Sequence, residues 1–171
     1  MQRLPEVIFH IVGDDSIPSA HGHTYRQEFE QKNVELCETH VHFYGKIDEE
    51  SLRRHYATCD IFVAPSRFES FGLIYVEAMM FGRPSVGCDV GGIPEVVDHE
   101  VTGLLVAPNS AGALQSTLEA LVSDANLRMQ YGSAGRKRYE QRFSDFRMAD
   151  SSVDLYQAVL TRNEAKIESV F

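Results

Sequence analysis

In the stretch PSRFESFGLIYVEAMMFGRPSV, residues 65–86, two glutamates stand on either side of Gly72: Glu69 in a polar loop and Glu77 inside the apolar segment from Leu73 to Phe81. A carboxylate among apolar neighbours is costly to keep ionised unless it is hydrogen-bonded or paired. Glu77 therefore needs a partner rich in donors. Glu69 follows a strand-like run, DIFVAP, which puts it at the carboxyl end of a strand, where open α/β sheets bind ligands. The helix beginning at Gly72 would aim the N–H groups around Phe71, Gly72 and Leu73 at the same crevice, and such groups hold phosphate without a basic protein surface. Hydroxyl and phosphate binding is the chemistry this pattern offers. The plainer alternative is that Glu69 caps the helix and that Glu77 is satisfied by a backbone or Arg partner inside the fold.

The elements that would carry these groups follow from hydrophobic patterning. Val7–Gly13, His40–Gly45, Asp60–Pro65, Ser85–Asp89 and Gly103–Ala107 are short β-branched or apolar runs that predict five strands. Helical segments are predicted at Tyr25–Cys37, at Glu49–Thr58 behind the cap Asp48, at Gly72–Phe81 and, briefly, at Ile93–Val97. The remainder reads as helix: Ala111–Val122, Ala125–Arg142 and Phe146 to about Leu160. Strands alternating with helices predict βαβ units and a parallel sheet. Residues 14–24 form one long loop after the first strand, and the apolar segment around Glu77 is expected to be buried on all sides.

At 171 residues, with 43% hydrophobic and 24% charged residues, the composition is that of one compact globular unit. A net charge of -9 opposes broad attraction to nucleic acid or anionic lipid, so an anionic ligand needs a local device. No apolar run approaches the ~20 residues that cross a bilayer, and MQRLPEV lacks the apolar stretch of a signal peptide, so a cytoplasmic location is expected. Cys37, Cys59 and Cys88 show no C-x-x-C spacing and read as reduced, structural thiols.

The motifs DIFVAPSRFESFGLIYVEAMMFGRPSV (60–86), GGIPEVV (91–97) and TGLLVAP (102–108), preceded by IVGD (11–14) and VHFYGKI (41–47), closely resemble the nucleotide-binding C-terminal half of retaining GT-B glycosyltransferases, the glycosyltransferase family 4 group. The resemblance spans most of the chain, and the E-x(7)-E pair is its most specific part. It implies a Rossmann-like, doubly wound parallel sheet with C-terminal helices. The domain is expected at residues 1–143, followed by a C-terminal helix and tail at 144–171. The resemblance implies that Glu69 is the catalytic residue, hydrogen-bonding donor-sugar hydroxyls near the anomeric centre, and that Glu77 takes the ribose hydroxyls. Backbone at Ser70, Phe71, Gly72 and Leu73 would face sugar and diphosphate, and Gly45, Lys46 and Ile47 would border the base.

The implied reaction moves a sugar from a nucleotide-diphosphate donor to an acceptor with retention, through an oxocarbenium-like transition state, with no metal or other cofactor required. One departure stands out: family members carry a diphosphate-clamping Arg and Lys in a first strand–helix unit that this chain lacks, leaving five predicted strands where a doubly wound domain of this type has six. The acceptor-binding N-terminal half is the expected partner, and the chain alone is expected to be inactive. Any peripheral membrane association is expected only through that half, and no nucleic-acid partner is expected. The rival readings are a non-catalytic nucleotide-sugar binding module and a nucleotide-sugar epimerase or hydrolase of the same architecture.

Other chemistry-bearing residues read as structural. Asp14–Asp15 suits turn chemistry better than metal binding, and His21 and His23 lack a third ligand at recognisable spacing. His40 and His42 would share one strand face. Gly91–Gly92 is read two ways, as a phosphate or sugar contact or as a tight turn. Arg136, Lys137, Arg138 and Arg142 are expected to form a solvated helix face.

Overall fold

A buried strand, Ser85–Cys88, lies between two parallel neighbours in the computed structural model, which describes residues 7–168. In chain order the strands are β1 (Phe9–Val12), β2 (Val41–Gly45), β3 (Phe62–Ala64), β4 (Ser85–Cys88) and β5 (Gly103–Val106). The helices are α1 (Tyr25–Lys32), α2 (Val34–Thr39), α3 (Glu49–Thr58), α4 (Leu73–Met80), α5 (Ile93–Val96), α6 (Ala111–Ser123), α7 (Ala125–Arg138) and α8 (Asp145–Glu168). A π turn at Tyr139–Phe143 separates the last two. Residues 1–6 of the expected domain and 169–171 of the expected tail lie outside the described residues.

Every strand pairing is parallel, as the alternation of strand and helix predicts, but the strands form two ladders rather than one: β1–β2, and β3–β4–β5. Correspondingly the chain divides into two compact units, Met1–Cys59 and Asp60–Phe171, where composition alone led to one.

The larger unit is doubly wound. On one face of its sheet Phe62, Ala64 and Leu105 pack against Tyr75, Val76 and Met79 of α4, and against Ile93 and Val96 of α5. On the other face Ile61, Val63, Val86 and Leu104 pack against Leu121 of α6 and Tyr131 of α7. The alternation of 61 and 63 against 62 and 64 is the period-2 geometry of a strand buried on both sides. Each such aliphatic side chain contributes about 1.5–3 kcal/mol of transfer free energy. In the smaller unit only Val41 and Tyr56 are buried hydrophobics among the described residues.

Local chemistry explains where the elements depart from patterning. The helix predicted at Tyr25–Cys37 breaks at Asn33, whose backbone leaves the helical region and whose Nδ2 donates to the Phe29 carbonyl at 2.9 Å. Asn competes for backbone in this way, which makes it a poor helix interior residue. His40 caps the end of α2 instead of sharing a strand face with His42. His42 pairs in register with His10, and His10 stacks on Tyr44 and lies 5.5 Å from His55. Partial burial, then the neighbouring His55 and His42, lower the pKa of His10.

Candidate functional site

The site is built where β3 ends. After Ala64 the chain runs through residues 65–72 and turns into α4 at Gly72, whose φ of +97° lies in the left-handed region that side chains rarely adopt. A Cβ there would stand 2.9 Å from Cδ2 of Tyr75 and 3.6 Å from Cγ of Glu69, so the loop closes tightly over its own helix. Gly72 is the N-cap, and no side chain caps α4. Glu69 is therefore not the cap that the plainer reading made it. Helices begin with N–H groups that have no partner within the helix, and here they are left to solvent or a ligand.

The loop is clamped from its other side by the turn after β4. The N–H of Gly92 donates to the Glu69 carbonyl at 3.0 Å. A Cβ at Gly91, which itself has φ +54°, would come within 2.0 Å of that same oxygen. One at Gly92 would lie 2.4 Å from the Ser70 carbonyl and 2.7 Å from Cα of Phe71. Gly91–Gly92 forms a tight turn, and its packing surface is the backbone of Glu69–Phe71. The pair thus serves the site by fixing the segment that carries Glu69.

The all-round burial expected of α4 is not observed. Tyr75, Val76, Ala78 and Met79 face the core, while Leu73 is 65% exposed and Glu77, four residues on along the same stripe, is half-buried. The helix lies on one face of the sheet, so its outer stripe stays accessible, and Glu77 is spared the full desolvation cost of a core carboxylate. Glu69 is also half-buried, Ser70 is exposed, and Phe68, Phe71 and Leu73 form an exposed apolar rim beside them. The structure thus brings Glu69, Ser70, Phe71, Gly72, Leu73 and Glu77 together on one loop and one helix.

Gly45, Lys46 and Ile47 belong to the smaller unit, at the carboxyl edge of its ladder. There the Gly13 N–H donates to the Gly45 carbonyl at 3.0 Å, and Lys46 Nζ pairs with Asp14 at 2.9 Å. Asp14 also accepts from the Ser16 N–H at 3.0 Å and from its hydroxyl at 2.5 Å. The Ser16 hydroxyl first, and then Lys46, hold its carboxyl down at a pKa of about 2. Asp15 pairs with Arg26 at 2.8 Å. Both aspartates are thus engaged with cations and a turn. His21 and His23 sit on a loop held by the Ser19 N–H, which donates to the His23 carbonyl at 2.7 Å.

Of the basic residues expected on a solvated face, Arg136, Lys137 and Arg142 are exposed, while Arg138 is drawn into the fold. Arg138 is 14% exposed and donates to the Val96 carbonyl at 2.8 Å, to the Glu95 carbonyl at 2.9 Å and to the Asp98 carboxylate. Arg136 donates to the Met80 carbonyl and to Glu140, and Arg142 lies over the Phe143 ring. The ends of α4 and α5 present unpaired carbonyls with partial negative charge, and guanidinium groups satisfy both. Patterning missed this because the partners of Arg138 are forty or more residues away; its only local sign was the density of arginine beside a glycine-rich helix.

Residues 1–138 match the sequence profile described as Glycosyl transferases group 1. The chain belongs to that family. Among its relatives are an alpha-maltose-1-phosphate synthase of Mycobacterium tuberculosis, 40% identical over 63% of this chain and 30% of that protein, and a D-inositol 3-phosphate glycosyltransferase of Jonesia denitrificans, 31% identical over 90% of this chain and 35% of that protein. Family members of known structure carry the same fold. A sucrose-phosphate synthase from Thermosynechococcus elongatus aligns with TM-score 0.73 and 31% identity over 90% of this chain and 38% of its own. Anabaena HepE in complex with UDP-glucose aligns with TM-score 0.77 and 27% identity over 90% of this chain and 42% of its own. The fold is thus the Rossmann-like α/β arrangement of GT-B glycosyltransferases. The chain spans about a third of the length of the curated relatives it matches.

Proposed function

We propose that this chain is the donor-binding half of a retaining glycosyltransferase of the family 4 group, which moves a sugar from a nucleotide-diphosphate donor to an acceptor held by a separate N-terminal half. The observation that carries the reading is the assembly at the carboxyl end of β3: a clamped Glu69, an N-cap at Gly72 without a side-chain partner, and an accessible Glu77 on the same helix. A relative that binds UDP-glucose with this fold supports it.

In this reading Glu69 is the catalytic residue: its carboxylate accepts from hydroxyls of the donor sugar and lies beside the anomeric carbon, where positive charge develops. The backbone of Ser70, Phe71, Gly72 and Leu73 offers N–H groups to sugar and diphosphate. Stabilising the departing diphosphate at the helix start lowers the barrier directly, because charge accumulates there in the transition state. Glu77 accepts from the two hydroxyls of the ribose diol. Gly45, Lys46 and Ile47 border the base.

The strand pairings also support an absent strand–helix unit. In a doubly wound sheet of order 3-2-1-4-5-6, strands 2 and 3 pair with each other and strands 4, 5 and 6 form a consecutive ladder. The observed ladders, one of two strands and one of three, have these compositions, which supports that part of the proposal. That unit and the acceptor-binding half complete the enzyme in this proposal. Residues 1–143 then form the donor domain and residues 144–171 the C-terminal helix and tail. No helix among the described residues is long and apolar enough to cross a membrane, and the proposed setting is the cytoplasm.

The test is calorimetric titration of the full-length protein with UDP-, GDP- and ADP-sugars. One donor is expected to bind, with Glu77→Ala weakening both donor and free nucleotide roughly tenfold or more, in line with the loss of charged hydrogen bonds. Glu69→Ala is expected to weaken the donor but not the nucleotide. Wild-type affinity in both variants would overturn the assignment.

A further inference from the structure

Tyr75 is the third residue of α4 and is fully buried, with 0% of its surface exposed. Its hydroxyl donates to the carbonyl of Ala64, the last residue of β3. Its ring meets Phe62 edge-on, with centroids 5.5 Å apart and planes at 87°. At the other end, a Cβ on Gly87 of β4 would stand 2.6 Å from the Tyr75 hydroxyl, so that strand position admits the phenol only because it has no side chain. The residues on either side of Tyr75 in sequence need no such fit: Ile74 is partly buried and Val76 packs as ordinary aliphatic core.

The loop that carries Glu69 begins just after Ala64 and ends at Gly72. Tyr75 is in contact with both ends: through its hydroxyl at Ala64, and through its ring edge beneath Gly72, where the position of an absent Cβ is 2.9 Å from Cδ2. The Glu69 side chain approaches the same point, 3.6 Å away at Cγ. Burial, then Cys88, then Glu69 raise the pKa of a phenol that is in any case a neutral donor at neutral pH. With the Gly92 N–H holding the Glu69 carbonyl from the other side, the loop is pinned at both ends and at its middle.

We propose that Tyr75 is a positioning residue for Glu69, its hydroxyl fixing the loop so that the carboxylate meets the donor sugar in one orientation. This rests on the donor-site reading of Glu69. A hydroxyl bound to the backbone carbonyl at the loop's start acts first on the segment that carries Glu69, whereas Glu77 is carried by the helix itself, so the sugar's contribution suffers more than the nucleotide's. Misplacement of a reacting group by about 1 Å costs on the order of 100-fold in turnover.

The experiment uses the full-length protein and compares Tyr75→Phe with Glu69→Gln. UDP-glucose, UDP-N-acetylglucosamine, GDP-mannose and ADP-glucose, and the matching nucleoside diphosphates, are titrated by calorimetry. Tyr75→Phe is expected to weaken the bound nucleotide sugar about tenfold and its nucleoside diphosphate by clearly less, about threefold at most. Retained nucleotide binding also shows that the variant is folded. If sugar and nucleotide weaken by the same factor, Tyr75 is only a core residue and the proposal fails; if neither changes, it fails likewise. Should Glu69→Gln leave the sugar's contribution intact, or should the wild type bind none of the four donors, the donor-site reading itself falls, and the positioning role with it.

Discussion

Substituting alanine for Gly91 tests the clamp on Glu69 most directly. The new methyl carbon would stand 2.0 Å from the Glu69 carbonyl oxygen, and reaching the 3.4 Å of an ordinary contact requires the two segments to part by about 1.4 Å. Separation to that extent stretches the Gly92 N–H hydrogen bond, now 3.0 Å, beyond bonding distance. Alanine at φ +54° adds about 1–2 kcal/mol of backbone strain, and the lost hydrogen bond about 1 kcal/mol. Gly91→Ala is therefore expected to destabilise by about 2–3 kcal/mol, which for a chain of this size lowers Tm by roughly 4–12 °C. Gly112→Ala serves as the control, because a Cβ at Gly112 meets nothing within 4 Å and the position lies in the first turn of α6. It should be neutral or stabilise by up to about 0.5 kcal/mol. The assay is urea unfolding of both variants beside the wild type, followed by donor titration of the folded fraction. A Gly91→Ala variant within about 0.5 kcal/mol of wild type would refute the close approach on which the site's rigidity rests.

Three further outcomes follow from the described contacts. The Ser85 hydroxyl is buried in the central strand without a hydrogen-bond partner, so Ser85→Ala is expected to leave stability unchanged or raise it by about 1 kcal/mol in urea unfolding. Arg138→Ala removes donors from two α5 carbonyls and from Asp98 and should cost about 2–4 kcal/mol. Arg138→Lys should recover less than half of that loss, since one ammonium cannot reproduce the planar fork. Asp14 has its carboxyl held at about 2, below its ordinary 3.8, so the folded state binds fewer protons than the unfolded one in that interval. Its contribution to stability is present above pH of about 4 and is lost as pH falls toward 2. Unfolding midpoints measured across that interval should fall less steeply in Asp14→Asn than in the wild type.

How much of this was legible in the sequence depends on how local each cause is. The five strands, the Asp48 cap and the loop-to-helix passage at Gly72 are short-range features written in β-branched runs, a capping residue and a glycine, and each lies within a few residues of its predicted place. The break at Asn33 is local too, but an Asn within an otherwise helical run gives no sign of which competing hydrogen bond it will choose. What could not be read are features made by residues far apart. Arg138 reaches Glu95, Val96 and Asp98, and Gly91–Gly92 meets Glu69–Phe71; no periodicity encodes either meeting. The same holds for Tyr75: within LIYVEAMMF it looks like one more apolar position, and only the neighbouring strand shows why it is a phenol. The half-burial of Glu77 was hidden because a helix apolar on all sides gives no indication of which stripe the sheet will leave uncovered.

The two-stranded ladder has a consequence for handling the molecule. β1 pairs only with β2 among the described residues, and Ile8 just before it and Ile11 within it are 53% and 42% exposed. Parallel sheets are ordinarily sealed within a protein, and an open flank with apolar side chains is a template onto which another chain can add a strand. Its colloidal behaviour in isolation is therefore governed by that flank more than by the net charge of -9, which keeps molecules apart at long range but does nothing to cover exposed apolar side chains once two of them meet.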